Sequence, residues 1–255
     1  MKSVLSYMGG KSRLADSIVK LMPQDHTCYC EPFCGACWVI FAKEQSKCEI
    51  INDLDGELVT FWRCIQNHLE EFLRYYRFAV TSRKLFELEL SKNASTLTDI
   101  QRAVRYFYIQ KLGFGGRTEG RTFGTSTTGP ARLNLLTLED ALLEIHWRLQ
   151  RVTIEHLPAL ECIRRYDRPD TFFYCDPPYY QTAGYAVPFV EQDFTDLRDT
   201  LAGIKGRFMV SLNDHQTVRA LFKGYSFKRL TLKYSTSRSA ASRGVERHEV
   251  LITNF

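Results

Sequence analysis

Apolar residues in this chain follow two rhythms. Short runs bounded by charged or turn-forming residues, at Cys28–Cys30, Cys48–Asn52, Val152–Glu155, Thr171–Cys175, Arg207–Leu212, Tyr225–Lys233 and Glu249–Ile252, read as β-strands. The last two look like a closing antiparallel pair. Between them lie stretches with apolar residues at helical spacing: Leu14, Ile18 and Leu21; Leu58, Phe61, Trp62 and Ile65; Leu138, Leu142, Ile145 and Leu149. Strand and helix alternate near both ends, but from Leu58 to Leu149 helical patterns dominate. The pattern predicts an α/β domain built from residues 1–57 and 150–255, interrupted by a helical insert over 58–149.

The run Thr171–Cys175 stops abruptly at Asp176-Pro177-Pro178-Tyr179. Two successive prolines have fixed φ and no N–H, so sheet pairing ends there. The outcome is a stiff ledge at a strand's carboxyl end, carrying a carboxylate, a Pro177 carbonyl free of neighbouring N–H groups, and an aromatic ring. Asp176 and Pro177 can accept the two hydrogens of an exocyclic amine, and Tyr179 can stack on a base extruded from its duplex. Two acceptors on one amine draw its nitrogen toward tetrahedral geometry and free its lone pair for an electrophile such as a methyl sulfonium.

Two further segments place chemistry at strand ends. Residues 28–37 read as a strand ending in a Pro/Gly turn that opens a helix near Cys37, a loose match to a nucleotide-binding unit. The strand Cys48–Asn52 ends at Asp53, 22 residues beyond Glu31, where an acidic residue can accept hydrogen bonds from ribose hydroxyls or cap the following helix. Near the start, Met8-Gly9-Gly10-Lys11 precedes a helical pattern and offers open N–H groups and a cation. Cys28, Cys30, Cys34 and Cys37 match no zinc or iron–sulfur spacing and are assigned to packing, with no metal expected.

Charge matters once located. The chain is +5 overall, yet residues 101–132 carry six basic residues against Glu119, and 223–247 carry seven against Glu246, so the remainder is acidic. Two basic segments on an acidic body point to a polyanion-binding face. Residues 113–130 are glycine-rich, with Arg117 and Arg121 flanked by Phe114 and Phe123, as in a loop or hairpin that enters a DNA groove. Arg132, Arg238 and Arg243 are further phosphate-contacting candidates. No apolar run reaches the length of a membrane span, no signal-peptide pattern opens the chain, and several of the eight cysteines sit in apolar runs. The expectation is a cytoplasmic protein, a monomer or dimer, that keeps its thiols reduced.

In the order Tyr7-Met-Gly-Gly-Lys11, Glu31-Pro-Phe-Cys-Gly35, Asn52-Asp53, Asp176-Pro-Pro-Tyr179 and Val245-Glu-Arg-His-Glu-Val-Leu-Ile252, the sequence resembles the Dam-like, D12-class DNA N6-adenine methyltransferases, of a phage or prophage type. The resemblance implies a Rossmann-like, class I methyltransferase fold with a mainly parallel seven-stranded sheet, one strand antiparallel, and a helical target-recognition insert. It implies S-adenosylmethionine held at Tyr7, Lys11, Glu31, Pro32, Phe33, Gly35, Asp53 and Asp176. Catalysis would fall to Asp176, Pro177, Pro178 and Tyr179, on double-stranded DNA. Departures are Tyr7 where Trp is frequent, Cys37 for Gly, and Gly115 where related hairpins often carry Asn; the first two bear on cofactor affinity, the third on the DNA target. RNA methylation on the same scaffold and a catalytically silent DNA-binding protein are the alternatives.

Overall fold

The computed structural model describes residues 1–7, 10–116, 120–125, 127–131, 133–182, 189–233 and 246–255, and for 136, 231–233, 246 and 247 the backbone alone. Seven strands, β1 (Cys28–Glu31), β2 (Cys48–Asn52), β3 (Val152–Glu155), β4 (Thr171–Cys175), β5 (Arg207–Asn213), β6 (Ser226–Lys233) and β7 (Glu246–Thr253), form one sheet in the order β3-β2-β1-β4-β5-β7-β6. The first five pair in parallel. β7 runs antiparallel to both β5 and β6, so it alone is reversed. This is the Rossmann-like sheet expected, and the closing antiparallel pair is there.

The chain leaves β1 for β2 on one side and returns to β4 on the other, so the order reverses between β1 and β4. Open parallel sheets bind ligands in the crevice at such a switch point, outside the carboxyl ends of the strands. Glu31, Asp53 and Asp176 all stand at those ends.

Alternation along the strands divides the interior into two layers. Tyr29, Ile51, Phe172, Tyr174, Met209 and Leu251 face one core, while Cys30, Ile50, Phe173, Cys175, Val210 and Ile252 face the other. The second core is closed by α8 (Ala159–Tyr166), α9 (Glu191–Ala202) and α10 (Gln216–Leu221) through Cys162, Leu197 and Val218. The first receives α1 (Ala15–Val19) and α2 (Trp38–Ala42), and then the run from α3 (Gly56–Asn67) through α4 (Leu69–Tyr76), α5 (Arg83–Ser91) and α6 (Asp99–Leu112) to α7 (Leu135–Leu149).

These helices follow from local signals. Asp55 caps α3 by accepting from the N–H groups of Glu57 and Leu58, and Thr98 with Gln101 forms a reciprocal cap on α6. Phe61 of α3 stacks on Phe107 of α6 with ring centroids 5.6 Å apart, and Phe72 of α4 meets Phe107 edge-on at 5.7 Å. The helices between β2 and β3 therefore share one hydrophobic layer with the sheet. α1 is shorter than the Leu14–Leu21 periodicity predicts, although Leu14 and Ile18 are both buried.

Candidate active site

A cavity of about 290 Å3 opens over the carboxyl ends of β1, β2 and β4. Its floor is the turn after β1, and the sequence explains that turn's shape. Gly35 has φ +46°, and a Cβ there would lie 3.3 Å from the Tyr7 ring, so a side chain would strain the backbone and press on the ring. Cys37, which caps α2, also sits in the left-handed region at φ 57°, the position where the family resemblance expects glycine.

Asn52 ties the turn to its neighbours. Its buried amide donates to the Pro32 carbonyl (2.9 Å) and the Leu157 carbonyl (3.1 Å) and accepts from the Leu157 N–H (2.8 Å). Trp62 of α3 donates its indole N–H to Gly35 O at 3.0 Å. The two adjacent acidic residues divide their work. Asp55 is the helix cap, whereas Asp53 accepts from the N–H of Gly35 (2.9 Å) and of Asp55 (3.0 Å) and lines the cavity. Asp53 is therefore not the cap.

Of the predicted cofactor positions, Tyr7, Lys11, Glu31, Pro32, Phe33, Gly35, Asp53 and Asp176 all line this cavity. Trp38, Phe189 and Asp193 line it too, and none of these was singled out from the sequence. Phe189 meets Phe33 edge-on at 5.8 Å, which gives the cavity an aromatic wall. Apart from Lys11, whose charge is spoken for by Asp176, the charged lining is entirely acidic: Glu31, Asp53, Asp55, Asp176 and Asp193. Burial pushes Glu31 up to about 8 although Tyr29 donates to it at 2.6 Å, and burial pushes Asp53 up to about 6 against two backbone hydrogen bonds. Such a lining suits a ligand carrying positive charge, hydroxyl donors and a flat ring.

At the lip stands the ledge. Asp176 and Pro178 face the cavity, whereas Pro177 is a buried residue, more enclosed than the sequence led one to expect. Lys11 does not wait for an external anion. Its buried ammonium donates to Asp176 Oδ1 at 2.7 Å and to the Tyr179 hydroxyl at 2.6 Å, with Glu249 Oε2 at 3.7 Å. Burial raises Asp176 to about 6, with Lys11 opposing the shift and Glu249 adding to it. Beyond the ledge, Asn213 at the end of β5 accepts from the Tyr180 N–H (3.0 Å) and donates to the Tyr180 carbonyl (3.2 Å), fixing the chain as it leaves Tyr179.

Residues 112–114 and 122–124 pair as the stem of the expected hairpin: Phe114 N–H donates to Thr122 O, and Gly124 N–H to Leu112 O, both at 2.8 Å. Gln110 joins this stem to the cavity side, since its amide donates to Ser6 O (2.5 Å), next to Tyr7, and to Gly116 O (2.9 Å). Arg121 lies over the Tyr106 ring at 5.3 Å, in the field of Asp55. Arg117, Arg132, Arg238 and Arg243 lie outside the described residues. The cysteines scatter: Cys34 and Cys37 each lie near Gly35 O, while Cys30 meets Cys162 at 3.8 Å. Among the described residues no group of His, Cys, Asp and Glu is arranged to hold a metal, and no helix is long and apolar enough to cross a membrane.

A mainly parallel sheet with one reversed strand, an acidic and aromatic cavity at its switch point and an Asp-Pro-Pro-Tyr ledge on the lip define a Rossmann-like methyltransferase. Residues 7–236 match the model of the D12 class N6 adenine-specific DNA methyltransferases, and the chain belongs to that family. It is a DNA adenine methyltransferase. Its relatives include the type II methyltransferase M.CviBI of Paramecium bursaria Chlorella virus NC1A, 22% identical over 92% of this chain and 91% of that protein. They also include the DNA adenine methylase of Haemophilus influenzae, 24% identical over 94% and 89%, and the type II methyltransferase M1.LlaDCHI of Lactococcus lactis, 22% identical over 100% and 96%.

Proposed function

We propose that the cavity holds S-adenosylmethionine and that the ledge grips the amino group of an adenine turned out of double-stranded DNA. The observation that carries this reading is the placement of Asp176 at the mouth of an acidic, aromatic cavity, joined through one buried lysine to Tyr179. When bound, S-adenosylmethionine would supply an electrophilic methyl group on a sulfonium, beside an amino acid portion that carries an ammonium and a carboxylate. Asp53 would accept from ribose hydroxyls, Glu31 would accept from the ammonium, and Tyr7, Phe33 and Trp38 would offer apolar surface to the ring. Asp176 accepts one amine hydrogen and the Pro177 carbonyl the other, Tyr179 stacks on the base, and Pro178 keeps the ledge rigid. Rate then arises from positioning and fixed dipoles, with no covalent intermediate on the protein.

The helices between β2 and β3, with the hairpin on residues 112–124, form the target-recognition part; Arg117, Arg121, Arg132, Arg238 and Arg243 neutralise phosphates. The test is transfer of a tritiated methyl group to unmethylated double-stranded DNA, with RNA and protein as parallel acceptors. Asp176→Ala should abolish transfer while DNA binding and circular dichroism stay unchanged. Substantial residual transfer in that variant would sink the mechanism.

A further inference from the structure

The sheet brings a second buried carboxylate to the ledge. Along β4, β5 and β7, alternation puts Tyr174, Ser211 and Glu249 on one face. Because β7 is reversed and Asn213 pairs with Glu249, the beginning of β7 lies at the carboxyl end of β5, level with the active site. Glu249 is 3% exposed, accepts from the Ser211 hydroxyl at 3.3 Å and lies 3.7 Å from the Lys11 ammonium. One buried cation is thus shared by two carboxylates, Asp176 and Glu249.

A buried carboxylate is costly unless a partner offsets it, and a glutamine of the same shape could keep a hydrogen bond with Ser211 without that cost. The charge at 249 therefore calls for an explanation beyond packing. Lys11 alone, at 2.7 Å from Asp176, would neutralise the carboxylate that must accept the substrate amine. We propose that Glu249 is a positioning residue for methyl transfer: by sharing the Lys11 ammonium with Asp176, it leaves Asp176 a strong acceptor while Lys11 stays anchored between Asp176 and Tyr179.

The inference rests on Asp176 holding the amine. The groups facing Asp176 are Lys11 from the segment before α1, Glu31 from β1, Tyr174 and Cys175 from β4, Tyr179 beyond it, and Glu249 from β7. Among them Lys11 favours the ionised form and Glu249 opposes it. Removing the charge of Glu249 therefore lowers the Asp176 pKa and weakens Asp176 as an acceptor.

The experiment is the pH dependence of kcat/KM for unmethylated DNA at saturating S-adenosylmethionine, in wild type, Glu249→Gln and Glu249→Asp. In Glu249→Gln the plateau should fall by roughly tenfold or more, the scale of a weakened hydrogen bond to a charged group. The acid limb should move to lower pH, with cofactor affinity by calorimetry near wild type. Glu249→Asp keeps the charge on a shorter stem and should hold the wild-type limb with a smaller loss of rate, which preserves the test where Gln prevents folding. A wild-type plateau in Glu249→Gln, a reduced plateau with an unmoved limb in Glu249→Gln, or an acid limb displaced in Glu249→Asp as far as in Glu249→Gln would overturn the proposal; where Gln prevents folding, a displaced limb in Glu249→Asp does so by itself. Activity in Asp176→Ala would instead overturn the reading of the ledge, whatever Glu249→Gln does.

Discussion

Asp176 must be ionised to accept an amine hydrogen strongly, and burial holds it near 6, above its ordinary value of 3.8. The sign follows directly. Below about 6 the carboxylate carries a proton and grips the amine less well, so kcat/KM for DNA should fall as pH drops through about 6. A profile flat to pH 5 would contradict this. Glu31, held near 8, is mostly protonated at pH 7 in the free protein. The ammonium or sulfonium of a cofactor bound beside it would favour the ionised form, so cofactor binding at pH 7 should release protons. Calorimetry in buffers of different ionisation enthalpy reads that release directly. Asp53 already accepts two backbone N–H groups, and each oxygen has a further lone pair. Asp53→Ala should weaken cofactor binding by about 1.5–3 kcal/mol, on the order of tenfold to a hundredfold, and wild-type affinity would show that its role is confined to the turn.

At the scale of elements, the turn between β1 and α2 carries two adjacent demands on the backbone, met once by glycine and once by cysteine. Cys37 occupies φ 57°, which costs a residue with a Cβ about 1–2 kcal/mol, yet its side chain is fully buried, which returns a comparable amount. Cys37→Gly should therefore stay within about 1 kcal/mol of wild type, whereas Cys37→Val, β-branched at positive φ, should lose about 2 kcal/mol or more. Urea unfolding distinguishes the two. Equal destabilisation by both variants would mean that packing alone decides the position.

Elements also show what could be read in advance. The ends of β1, β2 and β4 were legible because each is marked locally, by Glu31-Pro32, Asn52-Asp53 and Asp176-Pro177. Lys11 was legible as a residue near the site but not as the partner of Asp176, 165 residues away. Glu249 was legible only as a member of the closing motif Val245–Ile252, with no role attached to it. Nothing local says that this run inserts reversed beside β5, and only that insertion delivers Glu249 to Lys11.

For the whole molecule, the proposed reading makes the two basic segments the part that holds DNA. Between Gly113 and Arg132 the sequence offers Arg117, Glu119, Arg121 and Arg132 as candidates for base contact, with no Asn or Gln, and Arg121 already lies over Tyr106. Arginine pairs with phosphate or with guanine, and adenine edges call for Asn or Gln. The target should accordingly be short or relaxed, with adenines methylated in many contexts. Arg117→Ala should weaken binding on every sequence and reduce the slope of log affinity against log salt by about one. Sequencing of methylated adenines after exhaustive reaction is the check, and a single strict motif of four or more bases would refute it.

The reversed strand has a consequence for how the protein is made. β7 follows β6 in the chain but inserts between β6 and β5, pairing with both. While the ribosome has yet to deliver residues 246–253, the backbone edge of β5 has no neighbour on that side, and the nascent chain carries an open, apolar edge of the kind that recruits other strands. The carboxylate beside Lys11 arrives with that last strand, so a nascent chain can complete the environment of Asp176 only when it closes its sheet.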